Sequence, residues 1–224
     1  CTETRIVNRE TYTNGCSGIN LGAIIEMTMN NGRLRILNNK QIGLPTGDPR
    51  IFKTFDEFFA AYQAQHEYIL RHAMIQQMVS DEVRPTKLAA PLTSLFVGAC
   101  RDAATDINDY VPNSIREAFV GHIGYATMID SIAAVKKVIY DDKALTMDEL
   151  VKALDANFEG YEVLQQMLIH APKYGNNDPY ADEIGKKIDR FICEYLANNP
   201  GLHDEIYSMR VVPVTFHIPS GKVT

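Results

Sequence analysis

The chain begins C-T-E-T-R, and Cys1 with Glu3 is the pair whose types and spacing most plainly allow chemistry. In an extended loop residues i and i+2 point to the same side, so a thiol and a carboxylate so spaced can flank one small molecule. The carboxylate can serve there as a general base and then as a general acid. A thiolate nucleophile, the other use of such a cysteine, needs a histidine or basic neighbour to lower its pKa. Arg5 and Arg9 are close in sequence, but Glu3 and Glu10 oppose them and disfavour that chemistry. By itself, a C-x-E triplet more often marks an exposed loop than a catalytic pair.

The remaining chemically able residues are more scattered. Cys1, Cys16, Cys100 and Cys193 contain no C-x-x-C pair, so a zinc ribbon or thioredoxin-like motif has no support. Cys100 and Cys193 read as small buried hydrophobes on helices. His66, His72, His170, His203 and His217 show no ligand-like clustering and read as structural or surface residues; no metal site is expected. Glu117 and His122 fall in the stretch 105–127, which carries Pro112, Gly121 and Gly124 and no clear period. It reads as a long loop with one short strand, and long irregular segments inside compact domains are often functional.

The elements that must position these residues are mostly helical. Residues 19–31 form a first helix stopped by Asn-Asn-Gly, where Gly32 can take the left-handed conformation. Thr54 and Glu57 have capping-box spacing, and Phe55, Phe58, Phe59, Tyr62, Ile69, Leu70 and Ala73 share one face of a helix reaching about Val79, with Pro85 closing the region. Pro91 opens the next helix. M-I-D-S-I-A-A-V-K-K-V-I-Y-D-D is helical; Thr146 and Glu149 repeat the capping box; two further helices span about 161–170 and 180–198. Only R-V-V-P-V-T-F-H-I-P alternates like a strand, with Val212, Val214 and Phe216 on one side and no partner strand elsewhere in the sequence. A lone strand cannot satisfy its own backbone groups. Together with the Cys start, this predicts an internal segment of a larger protein.

Composition narrows the class. The 224 residues are 46% hydrophobic with a net charge of −6, enough for a sizeable core and unlike a phosphate-backbone binder. No apolar run approaches the roughly 20 residues that span a bilayer, and the first residues lack the charged and apolar regions of a signal peptide, so the expectation is a soluble cytoplasmic protein with neither nucleic acid nor membrane as partner.

Several blocks in order carry a resemblance: C-T-E-T, I-I-E-M-T-M-N-N-G, K-Q-I-G-L-P-T-G-D, T-F-D-E-F-F-A-A-Y-Q-A-Q, the run from Asp130 to Gly160, A-P-K-Y-G-N-N-D-P-Y-A-D-E and V-T-F-H-I-P-S-G-K-V-T. The chain resembles the second half of a glycyl radical enzyme, a relative of pyruvate formate-lyase. The resemblance implies an α/β fold, a mostly helical segment of a ten-stranded barrel of two five-stranded halves, with residues 1–224 forming part of one barrel domain. It implies a glycine-centred radical installed by an activating enzyme that uses S-adenosylmethionine and an iron–sulfur cluster, with no cofactor bound directly. The radical glycine would lie beyond Thr224.

Cys1 matches the family's thiyl cysteine and Glu3 the carboxylate of the G-C-x-E motif. The chemistry is consistent, because an S–H bond is weak enough to exchange hydrogen with carbon and a radical beside O–H reacts faster once that proton is lost to a base. Glu117 and His122 would fall where the family lines its substrate pocket, although this chain has S-I-R-E-A-F-V-G-H where many relatives have a Y-N-F-like run. Cys16 is not the second member of an adjacent cysteine pair, which argues against acyl transfer to coenzyme A. The C-T-E-T-R context resembles the arylacetate decarboxylase and hydroxyproline dehydratase branches. The leading expectation is decarboxylation of an arylacetate (hydroxyphenylacetate, phenylacetate or indoleacetate). The alternatives are radical dehydration of a hydroxylated small molecule such as hydroxyproline or a diol, and a non-catalytic helical interaction module. A small-molecule substrate, the activating enzyme and a homo-oligomeric partner copy are implied; a small accessory subunit, which some arylacetate decarboxylases have, is left open. Glycyl radicals are destroyed by oxygen, which implies an anaerobic setting.

Overall fold

The computed structural model describes residues 6, 8–11, 14–116, 118–211 and 217–221, with the backbone alone at 14–17, 217 and 219. In chain order the elements are β1 (Asn14–Asn20), α1 (Leu21–Met29), β2 (Arg33–Leu34), β3 (Lys40–Gln41), α2 (Phe55–Lys87), α3 (Pro91–Leu95), α4 (Gly98–Ala103), β4 (Ala118–Ile123), α5 (Tyr125–Val135), a π turn (Lys136–Asp141), α6 (Met147–Asp155), α7 (Glu162–Ile169), α8 (Pro179–Asn198), β5 (Tyr207–Val211) and α9 (His217–Ser220). The fold is α/β and mostly helical. Its contacts divide it into two units. One comprises Cys1–Ile19, Leu70–Gly121 and Ile192–Arg210; the other comprises Asn20–Ile69, His122–Phe191 and Val211–Thr224.

The second unit is built from capped helices. Asn20 accepts from the backbone of Gly22 at 3.0 Å and Ala23 at 3.4 Å, which starts α1. The helix stops where expected: Gly32 has φ +79°, its N–H donates to the Met27 carbonyl at 2.7 Å, and a Cβ there would lie 2.1 Å from the Leu44 oxygen. Both capping motifs form, the first with a shift. Thr54 Oγ1 accepts from Glu57 N–H at 3.3 Å, but the Glu57 carboxylate reaches back to Lys53 N–H at 2.6 Å, one residue further than the motif requires. At α6 the box is reciprocal between Thr146 and Glu149. These caps orient faces that bury Met29, Phe58, Val135, Ile139, Met147, Leu150 and Val151 in one apolar cluster.

Strands that fall mostly in the first unit form a three-stranded sheet, with β4 between β1 and β5. Three expectations are corrected here. The late strand is not alone: β5 lies beside β4, Ser208 Oγ donates to the Ala118 carbonyl at 3.3 Å, and β4 and β1 come from segments too short or too irregular in pattern to stand out. Of the expected strand 210–219, Arg210 and Val211 belong to β5, whereas His217–Ser220 is helical; Val212, Val214 and Phe216 lie outside the described residues. Third, α2 runs through Pro85 to Lys87, because a proline in the last turn forfeits only one backbone hydrogen bond. Pro91 does open a helix, but the chain breaks at Phe96–Val97 and restarts as α4. Cys100 is buried as expected, whereas Cys193 is exposed on α8.

Candidate active site

Cys1, Glu3 and Glu117 lie outside the described residues. What the structure shows is how the chain on either side of them is held. Just after the cysteine stretch the backbone turns, with Arg9 and Glu10 N–H donating to the Ile6 carbonyl at 3.2 and 3.0 Å and the Glu10 carboxylate accepting from Ile6 N–H at 2.9 Å. Asn8 takes the left-handed conformation, φ 64°, which asparagine tolerates. Its side chain accepts from Gly98 N–H at 3.2 Å, and its carbonyl accepts from Ala99 N–H at 3.3 Å at the start of α4. A Cβ on Gly98 would lie 3.2 Å from the Asn8 Cβ, so this close approach favours glycine.

Glu10 then forms a parallel bridge with Ile115. Ile115 N–H donates to the Arg9 carbonyl at 2.9 Å, Thr11 N–H donates to the Ile115 carbonyl at 3.1 Å, and the Thr11 and Ser114 hydroxyls are 3.1 Å apart. Thr11 is buried. The segment leaving the C-x-E motif is thus fastened beside the segment that enters Glu117. No alternation in either sequence announces this bridge, which pairs residues more than a hundred positions apart.

His122 is described. It lies on β4 and is fully buried, with its Nε2 3.4 Å from His66 Nε2. His66, which the sequence marks only as structural or surface, is also fully buried, and its Nδ1 is 2.9 Å from the Tyr62 hydroxyl; that hydroxyl also contacts Met128 Sδ at 2.6 Å. Phe191 stacks edge-on against His66. Burial holds the His66 imidazole well below its ordinary pKa, reinforced by His122, and raises the Tyr62 phenol. A neutral imidazole has one donor and one acceptor, so a single proton between the two rings satisfies both Nε2 atoms. The usable signal was the i, i+4 spacing of Tyr62 and His66 on the face that carries Phe58 and Phe59. Nearby, Tyr125 donates a short hydrogen bond to Asp189.

In the first unit a second polar group was also missed. Gln77 Nε2 donates to Asp81 Oδ1 at 2.8 Å, while the buried atoms Asp81 Oδ2, Arg116 Nη1 and Glu205 Oε1 have no hydrogen-bond partner among the described residues. Burial raises the Asp81 carboxyl, opposed by Gln77 and Arg116 and assisted by Glu205. Arg210 stacks over the Phe119 ring at 4.5 Å. Among the described residues no group of three or more His, Cys, Asp or Glu could hold a metal ion, and no helix is long and apolar enough to cross a membrane.

The comparisons with known proteins agree across the chain. Residues 1–221 match the model of the pyruvate formate lyase-like family. Isethionate sulfite-lyase of Oleidesulfovibrio alaskensis is 43% identical over 227 residues, covering all of this chain and 27% of the relative's length. The crystal structure of hydroxyproline dehydratase from Clostridioides difficile with trans-4-hydroxy-L-proline bound superposes with a TM-score of 0.84 at 34% identity, over 91% of this chain and 26% of that one. The glycyl radical subunit of 4-hydroxyphenylacetate decarboxylase from Clostridioides difficile is 24% identical over 223 residues, covering 90% of this chain and 24% of its own length. The chain therefore spans about a quarter of the relatives it matches. With the family model matched from end to end and a shared fold behind it, the chain belongs to the pyruvate formate lyase-like family of glycyl radical enzymes.

Proposed function

We propose that the whole protein is a glycyl radical lyase that expels a leaving group from a small hydroxylated substrate, with isethionate, a hydroxyalkyl sulfonate, as the first candidate. The observation that carries this reading is the 43% identity to isethionate sulfite-lyase over the full 224 residues. The expectation of arylacetate decarboxylation gives way to it: the C-T-E-T-R context does not separate the branches, and identity falls to 24% against the hydroxyphenylacetate enzyme. Dehydration of hydroxyproline is the second reading, favoured by the 0.84 TM-score at 34% identity.

In this proposal the glycine radical, supplied by an activating enzyme, provides the oxidising equivalent that makes Cys1 a thiyl. The Cys1 sulfur takes a hydrogen atom from the carbon that carries the hydroxyl group. Glu3 accepts the hydroxyl proton, which raises electron density on that carbon and drives the neighbouring C–S bond to break; sulfite leaves with the bonding pair. The remaining carbonyl-bearing radical takes back the hydrogen atom from the Cys1 thiol, giving an aldehyde, and the Glu3 proton passes to sulfite. For hydroxyproline the order differs: the Cys1 sulfur takes a hydrogen atom from the ring carbon between the nitrogen and the hydroxyl-bearing carbon, Glu3 in its acid form protonates the hydroxyl as it leaves as water, the amine proton returns to Glu3 as the C=N bond forms, and the Cys1 thiol gives its hydrogen atom to the carbon that lost the hydroxyl. Glu117 is the candidate second carboxylate of the pocket. His122, turned into the core against His66, is assigned a supporting place in the pocket wall. Residues 1–224 would contribute one part of a single barrel domain, in a homo-oligomer.

The test is anaerobic turnover by the activated full-length protein, offered isethionate, trans-4-hydroxyproline and hydroxyphenylacetate separately. Sulfite and acetaldehyde from isethionate support the first reading, and a dehydrated proline supports the second. Methylphenol with carbon dioxide would overturn both. Cys1→Ser should abolish turnover while leaving the glycine radical signal intact; activity retained in that variant removes Cys1 from the mechanism.

A further inference from the structure

β4 touches α2 through a polar pair. Successive side chains of a strand point to opposite sides, so Ala118, Val120 and His122 share one face of β4, and all three are buried. Only His122 among them is polar, and it meets His66 of α2 with 3.4 Å between the Nε2 atoms. The surroundings are otherwise aromatic or apolar: the Phe191 ring stands edge-on to His66, Phe59 packs on Tyr62, and the Met128 thioether lies against the Tyr62 hydroxyl.

Apolar contacts are non-directional and accept a strand displaced along a helix. A hydrogen bond between two buried imidazoles does not. Moving β4 by one residue would turn His122 to the opposite face, and moving it by two would set Val120 or Gly124 beside His66; either way a buried Nε2 loses this partner. Replacing both members of a buried polar pair by apolar side chains of similar shape is close to neutral, so stability alone does not call for the two histidines. What the pair adds is a single permitted register. We propose that His66 is a positioning residue: through His122 it fixes the register of β4 along α2, and with it the place of Glu117, which the sequence puts immediately before β4. Tyr62 is the outer support, its hydroxyl 2.9 Å from Nδ1 orienting the His66 ring. The inference rests on the pocket role proposed for Glu117.

The experiment compares full-length variants that keep or lose one ring nitrogen. The terminal amide of glutamine reaches the position of the imidazole Nε2, and that of asparagine only the position of Nδ1. His66→Gln should therefore keep the contact to His122 and retain kcat/KM within about threefold, whereas His66→Asn should lose about tenfold or more. In His66→Phe/His122→Leu both polar partners go together. Its thermal unfolding midpoint should stay close to that of the unsubstituted protein, while kcat/KM falls about tenfold or more and the β4 amides exchange hydrogen faster by mass spectrometry. Equal losses in His66→Gln and His66→Asn would overturn the proposal, as would activity that follows the unfolding midpoint across all three variants. Should the paired variant fail to fold, the glutamine and asparagine variants still decide. The exchange measurement needs no substrate: unchanged β4 exchange in the paired variant refutes the register lock, whereas an unsubstituted protein that turns over none of isethionate, trans-4-hydroxyproline and hydroxyphenylacetate refutes the reading of the reaction instead.

Discussion

The two halves of α2 are one continuous helix whose buried polar groups are satisfied to different degrees. In the first, Phe58, Phe59 and Tyr62 are buried, and the polar atoms among them, on Tyr62, His66 and His122, find one another at 2.9 and 3.4 Å. In the second, the buried face carries Gln77 and Asp81 beside Leu70 and Met74, one Asp81 oxygen has no hydrogen-bond partner among the described residues, and Ile75, Val79 and Val83 face outward. In the first half the buried polar atoms of Tyr62 and His66 have partners inside the protein. In the second half Ile75, Val79 and Val83 remain about half exposed. A helix can therefore bury polar groups along its whole length and find partners for all of them, among the described residues, over only part of it.

The comparison can be broken most forcefully in the first half. In the full-length protein Phe58→Ala should cost about 3–5 kcal/mol by denaturant unfolding, because it removes a fully buried ring and leaves a cavity among Met147, Leu150 and Val151. A loss under about 1 kcal/mol would mean that this cluster is not a rigid core. The matching change in the second half, Val79→Ala, removes a half-exposed side chain and should stay within about 0.5 kcal/mol; a cost of about 1–2 kcal/mol would show that side chain to be buried in the whole protein.

The pH dependence sharpens the same contrast. His66 has its folded pKa lowered, so below the ordinary histidine value of about 6.5 the unfolded chain takes up a proton that the folded chain refuses. Stability should fall as pH drops from about 6.5 towards the depressed folded value, and be unaffected by this group above that window. His66→Phe should flatten the slope. Asp81 behaves in the opposite sense: its folded pKa is raised, so its charge costs stability as pH rises through that value. Asp81→Asn keeps the shape and removes the charge, and should be neutral or stabilising by about 1 kcal/mol at neutral pH, measured by thermal unfolding. The smallest effect is at the helix start, where Thr54→Ala removes the acceptor for Glu57 N–H and should cost about 0.5–1 kcal/mol.

Much of this was legible in the residues themselves, for local reasons. Asn30-Asn31-Gly32 stops α1 because a left-handed residue is needed there, and Thr146 with Glu149 starts α6 because four orphan N–H groups need acceptors. The apolar spacing of Phe55 to Tyr62 predicted a buried helix face, and the ordered blocks placed the chain in its family. Each of these signals lies within a few residues of its effect. The pairing of Glu10 with Ile115, the order β1-β4-β5 and the meeting of His66 with His122 were not legible, since each joins residues distant in sequence that carry no local mark of one another. The same reason hid Asp81, Arg116 and Glu205, ordinary one by one, of which folding buries the Asp81 side chain and single polar atoms of the half-buried Arg116 and Glu205. Sequence alone determined most of the helices, the caps of α1, α2 and α6, and the family, the helices and caps through short-range sterics and hydrogen bonding. Which side chains share a dry interior was decided by the tertiary structure alone, because burial is a property of what surrounds a residue and not of the residue.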